Sequence, residues 1–150
     1  MPQQPTARFS RPRARVAIAA VAAIAILAIA LPAQGATPSK RVVSQAHNAT
    51  LGKTVLTTLA GRTLYTLSAE TGGTFICKRG CLATWHPLYV GAGVKPTGPA
   101  KLGTIKRPDN GRRQVTFRGR PLYTFDGDEG KGDANGEGIR DVGTWHAASP

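Results

Sequence analysis

Acidic residues are scarce in this chain of 150 residues: eight Asp and Glu stand against twenty Lys and Arg, a formal net charge of +12. Cysteine occurs twice and histidine three times, too few for most closed metal sites built from those ligands alone. No C-x-x-C-H run is present, which excludes covalent c-type haem attachment by that motif. No window beyond the N-terminal segment shows a sustained helical period, so helix is expected to be scarce. Ribonucleoprotein and zinc-finger signatures are absent, and no specific nucleic-acid partner is expected. No nucleophile and base pair can be assigned, so the chain is not expected to be an enzyme. The length suits one domain or two very small repeats.

The N-terminus carries Arg8, Arg11, Arg13 and Arg15 without an acid, and Val16 to Leu31 then run without a charged or polar side chain. Pro32 ends the run, and Ala33-Gln34-Gly35 places small residues at the −3 and −1 positions of a cleavage site before Ala36. A basic start, an apolar run and a small-residue site mark residues 1–35 as a secretory signal. An uncleaved membrane anchor is the rival reading, since the run falls short of the ~20 residues of a spanning helix but is slightly long for a signal. No Cys follows the run, which excludes a lipid anchor there, and no Arg-Arg pair marks a twin-arginine signal. Without residues 1–35, sixteen basic residues face the same eight acids, a net charge of +8. So basic an exported protein is drawn to anionic wall polymer or an anionic lipid surface, with any partner protein unspecified. Residues 36–50 lack a clear period and read as a flexible linker.

The rest contains an imperfect repeat. Gly61-Arg62-Thr63-Leu64-Tyr65-Thr66-Leu67 returns as Gly119-Arg120-Pro121-Leu122-Tyr123-Thr124-Phe125, 58 residues later. Thr84-Trp85-His86 returns as Thr144-Trp145-His146, 60 residues later. Residues 51–148 therefore read as one small domain of two copies, about 51–92 and 102–148, packed about a pseudo-twofold core, with a Gly- and Pro-rich connector over 90–104. Two copies are too few for a stacking solenoid. Each copy opens with a hairpin of strand formers and Gly turns: Thr54–Leu59 into Thr63–Leu67, and Gln114–Phe117 into Pro121–Phe125. Strand alternation puts Tyr65 with Leu67, and Tyr123 with Phe125, on the core face. The expected class is all-β: two antiparallel hairpin units, loop-rich, with little helix.

These residues resemble a secreted-repeat family of predicted bacterial lipoproteins with a tandem Tyr-x4-Asp motif. Gly61, Leu64 and Tyr65 fit its first copy, with Glu70 where Asp is usual. Cys77, Cys81, Trp85 and Pro87 fit the middle, with His86 in place of a Pro. Gly119, Pro121, Leu122, Tyr123, Phe125, Asp128, Gly132, Asp133, Gly136 and Trp145 fit the second copy. The resemblance spans about residues 50–148 and implies an extracytoplasmic module of unknown biochemical function.

Several residues invite a chemical reading. Cys77 and Cys81, in an exported chain, are expected to form a disulfide. With His86 they could instead hold copper or zinc. His86 and His146 occupy equivalent repeat positions and could share a metal across the copies, or each could simply hydrogen-bond beside its Trp. The segment 126–137 holds five acids and four glycines, with Asp126, Asp128 and Glu137 at calcium-loop spacing. Gly130 and Lys131 break the loop pattern, and a solvated turn is the competing reading. Tyr65 with Glu70, and Tyr123 with Asp128, suggest phenol-to-carboxylate hydrogen bonds. Arg107, Arg112, Arg113, Arg118 and Arg120 read as a solvated basic edge that discourages strand pairing with other chains. The sum is a non-catalytic ligand-binding or structural module. The alternative is a redox or metal-handling protein using Cys77, Cys81, His86 and His146.

Overall fold

The structure, a computed structural model, describes Met1 and residues 36–150. The signal segment 1–35 expected from the sequence lies, apart from Met1, outside the described residues. The chain after it is all-β. Twelve strands follow one another: β1 Ser39–Arg41, β2 Val43–Asn48, β3 Lys53–Thr58, β4 Tyr65–Leu67, β5 Trp85–Pro87, β6 Tyr89–Val90, β7 Lys95–Thr97, β8 Leu102–Lys106, β9 Arg113–Phe117, β10 Arg120–Pro121, β11 Tyr123–Phe125 and β12 Trp145–Ala147. The only helical element among the described residues is a 3-10 turn, Arg79–Ala83.

Each copy begins as a long two-stranded ladder. In the first, β2 pairs antiparallel with β3 from Val43↔Thr58 to Asn48↔Lys53. In the second, β8 pairs with β9 from Leu102↔Phe117 to Lys106↔Arg113. The expected linker 36–50 thus contains β1 and β2. Strand β3 is rich in β-branched residues and needs a hydrogen-bonding partner along both edges, and β2 supplies one. The repeat at this point is invisible by residue identity, because Val43–Asn48 and Leu102–Arg107 share only the inward-facing pattern.

The expected hairpins exist but are short. Thr63 bridges Thr57, and Arg120 and Pro121 pair with Phe117 and Thr116. Arg118 and Gly119 form the second turn with φ of 49° and 77°, the doubly left-handed geometry of a tight two-residue hairpin loop. The chain then leaves the hairpin at Leu64 and Leu122, which bond back to Leu56 and Val115 through their amides (2.9 Å each). The following strands, β4 and β11, enter a different sheet.

That sheet, ordered β12-β4-β11-β5, joins the copies. Tyr123 lies opposite Tyr65 at its centre. On one side β11 of the second copy pairs with β5 of the first, Phe125↔Trp85 and Thr124↔His86. On the other side β4 of the first copy pairs with β12 of the second, Leu67↔Trp145 and Thr66↔His146. The two registers are equivalent under exchange of the copies, so the pseudo-twofold passes between Tyr65 and Tyr123. Alternation sends both Trp rings inward and both His rings out. Trp85 and Trp145 stack with centroids 3.7 Å apart, Trp85 meets Tyr65 edge-on, and Trp145 meets Tyr123 edge-on. A second apolar cluster of Val43, Leu56, Leu64, Val115, Phe117 and Leu122 underlies the ladders.

Both neighbours of β4 therefore belong to the second copy. Residues 36–100 alone are expected to show no cooperative thermal transition as a monomer. A sigmoidal melt by circular dichroism at monomeric mass would contradict the strand exchange.

Candidate functional site

The motif residues meet in the interior. The Tyr65 hydroxyl donates to Asp128 Oδ2 at 2.8 Å, and the Tyr123 hydroxyl to Glu70 Oε2 at 2.9 Å. Each phenol thus pairs with the carboxylate of the other copy. The sequence suggested the bond type but matched each Tyr with its own downstream acid. That pairing fails because the acid lies five residues on, past the strand end, at about 3.3 Å of rise per extended residue. All four side chains are buried.

The acids are completed by the loops that follow them. Glu70 Oε1 accepts the amides of Ile76 and Cys77, both at 2.8 Å. Cys77 and Cys81 are disulfide-bonded, which staples this segment against the buried carboxylate. In the second copy, Asp128 Oδ1 accepts the Asn135 amide, and the Gly136 amide approaches the Tyr65 hydroxyl. Here a carboxylate does the stapling: Asp133 Oδ2 accepts the amides of Glu129 and Gly130. Gly136 packs so closely that a Cβ there would lie 2.8 Å from Trp85 and 2.9 Å from Tyr65.

Arg107 was misread as part of a solvated edge. It is 1% exposed, donates to Asp109 through two bonds of 2.9 and 3.0 Å, and reaches Gln114, Tyr123 and the Cys77 carbonyl. Its ring of partners places a cation beside the Tyr123–Glu70 pair. Asn48 holds the equivalent place in the first copy and bonds instead to the Gly132 carbonyl. The Asp109 carboxyl is held below its ordinary pKa by the bonds from Arg107. Burial raises the Tyr65 and Tyr123 phenols, with Asp128 and Glu70 adding to the effect, so both protons stay on the tyrosines.

The candidate metal ligands are dispersed. The thiols are consumed in the disulfide. His86 and His146 lie on β5 and β12, the two edges of the four-stranded sheet, and do not face each other. His86 pairs with Asp126 (3.3 Å) and His146 with Glu137 (2.9 Å). Asp126, Asp128 and Glu137 also diverge: one meets His86, one is buried on Tyr65, and one accepts the Ala147 amide and faces Lys53. No group of three or more His, Cys, Asp or Glu is gathered as for a metal among the described residues.

Charge is partitioned along the chain. Residues 36–125 carry fourteen Lys and Arg and two acids, Glu70 and Asp109. Both acids are committed to internal partners. Apart from Asp109, which is paired with Arg107, the exposed acids all fall within 126–141, so the surface of the β6–β10 ladder carries a large excess of cations.

An all-β module of two strand-exchanged copies around one sealed polar centre is the class so defined. Residues 103–149, essentially the second copy, match a family described as a secreted repeat of unknown function. The matched copy has Phe125 and Asp128 where the first has Leu67 and Glu70. No curated protein and no solved structure matches the chain. No helix among the described residues is long and apolar enough to cross a membrane.

Two measurements check this geometry. Arg107→Gln leaves the buried Gln114 and Cys77 oxygens without their donor and the buried Tyr123–Glu70 pair without its neighbouring cation, and is expected to cost about 3–5 kcal/mol in urea unfolding. A loss under 1 kcal/mol (about the value of an exposed ion pair) would contradict the buried role. The second concerns pH. Burial holds the Asp128 carboxyl above its ordinary pKa, despite bonds from Tyr65 and Asn135. Glu137 is also desolvated, but bonds from His146 and Ala147 and the charge of Lys53 hold it below the ordinary value. A raised carboxyl stabilises the fold at low pH and loses that contribution as pH climbs from the unfolded pKa (about 4 for Asp) through the folded one. A lowered carboxyl contributes above its unfolded pKa and loses that as pH falls through the folded one. Relative to wild type, the melting temperature of Asp128→Asn should therefore improve as pH rises from the acid side of this range. That of Glu137→Gln should worsen over the same scan, and parallel curves would refute the assignment.

Proposed function

We propose that the chain is an exported, non-catalytic module that binds an anionic polymer of the cell envelope. One observation carries this reading: the residues with chemical potential are sealed inside as structure, while the accessible surface over residues 36–125 carries a large excess of Lys and Arg, few of them paired with an acid. Tyr65, Glu70, Tyr123 and Asp128 have no contact with solvent to speak of, so substrate cannot reach them without unfolding. Arg107, the one buried cation among the described residues, is saturated by its own partners. The surface arginines and lysines, by contrast, cost nothing to bring against a polyanion and gain from counter-ion release. Secretion, as in the matched family, brings such a surface to the envelope.

The test is cosedimentation of the domain 36–150 with purified cell walls across a salt series. Binding should be strong at low ionic strength and fall steeply as the screening length shrinks toward ~8 Å. Salt-independent adhesion, no adhesion, or tighter binding to anionic lipid vesicles than to wall would overturn the reading.

A further inference from the structure

We infer that the cleft between β1, β6 and the β8–β9 turn is a binding site for a phosphate-bearing polymer segment. The inference rests on the module reading above and gives it a place and a chemistry. The cleft measures about 680 Å³, and its polar lining is Lys40, Tyr89, Lys106, Arg112 and Arg113. None of these four cations pairs with a carboxylate among the described residues. Asp109, the acid in the adjoining turn, is taken up by Arg107.

The two arginines are held in place. The Arg112 guanidinium lies 3.6 Å from the centroid of the Tyr89 ring. Tyr89 is fixed in turn by Asn110, whose side-chain amide donates to its hydroxyl at 2.9 Å and whose Oδ1 accepts the Arg112 amide. Arg113 is anchored by donation to Thr104 Oγ1 at 3.1 Å. Lys40 is brought in by the parallel pairing of β1 with β7, opposite Pro96. Stacked or anchored guanidinium groups lose less side-chain entropy on binding, and their planar forks match phosphate oxygens.

The repeat supplies an internal control. Superposing the ladders by register places Lys53 at Arg112, Thr54 at Arg113, His47 at Lys106 and Ser149 at Tyr89. There Lys53 faces Glu137, and Ser149 caps the Thr54 carbonyl. The fold is the same at both positions, so it does not require the cationic set. What the first copy does without, the second keeps for another reason, and an exposed aromatic-backed cation cluster is suited to a linear polyanion.

The experiment is calorimetric titration of the domain 36–150 with a short glycerol-phosphate oligomer, and with an oligogalacturonate of equal charge as carboxylate comparison. Arg112→Gln/Arg113→Gln should weaken the phosphate oligomer about tenfold or more and reduce the salt slope by about two. Lys101→Gln/Arg140→Gln, which removes the same charge from exposed positions outside the cleft lining, should change affinity by less than about twofold. Unchanged melting temperatures confirm that both variants fold. Equal losses in the two variants, or equal affinity for the carboxylate oligomer, overturn the site while leaving wall adhesion by general charge intact. Failure of the wild-type domain to bind either walls or the oligomer overturns both.

Discussion

The crossed pair of hydrogen bonds, Tyr65 to Asp128 and Tyr123 to Glu70, is the constraint on which the rest of the domain depends. A carboxylate taken from water without a partner costs several kcal/mol, so each acid can be buried only where a phenol and backbone amides await it. Those donors come from the other copy's strand and from the acid's own following loop. Neither copy can bury its own acid alone. The strand exchange, the Trp stack over the axis and the stapled loops all serve that mutual satisfaction.

The two halves reach the same end by different chemistry. The first copy closes its loop with a disulfide and places Arg107 beside its carboxylate from across the axis. The second closes its loop with Asp133 and leaves Asp128 to one phenol and one backbone amide. This accounts for much of the acidic, Gly-rich segment that looked like a calcium loop: Asp133 caps a turn, Asp128 enters the core, Glu137 ties down β12, and Gly136 permits close approach to Trp85 and Tyr65. It also accounts for the two Trp-His pairs. The indoles are the common core, and alternation turns the imidazoles outward at opposite edges.

Strand segments, the repeat anchors, the inward Tyr faces and the disulfide were legible in the sequence because each is written in neighbouring residues. Thr, Val, Tyr and Phe runs, Gly at turns and two cysteines four residues apart need no knowledge of distant contacts. Strand β2 was missed because its pattern, Val43 and Asn48 inward with half-buried or exposed residues between, carries no residue in common with β8. Arg107 was missed because it stood among five arginines. The usable signal was Asp109 two residues on, ahead of a turn, which offers a bidentate partner to a buried guanidinium. The basic cleft was visible only as an excess of charge, since Lys40, Tyr89 and Arg112 are far apart in the chain.

The sequence by itself determined an all-β chain of two related halves, its one covalent staple, its basic balance and the likeness of its second half to a secreted repeat. Tertiary structure alone decided that the halves exchange strands, which Tyr serves which acid, which arginine is buried, and where the surface cations converge. The division has a physical cause. Backbone preference and alternation act over a few residues, whereas the partner of a buried charge is whichever donor the folded arrangement brings within hydrogen-bond reach, here more than fifty positions away along the chain.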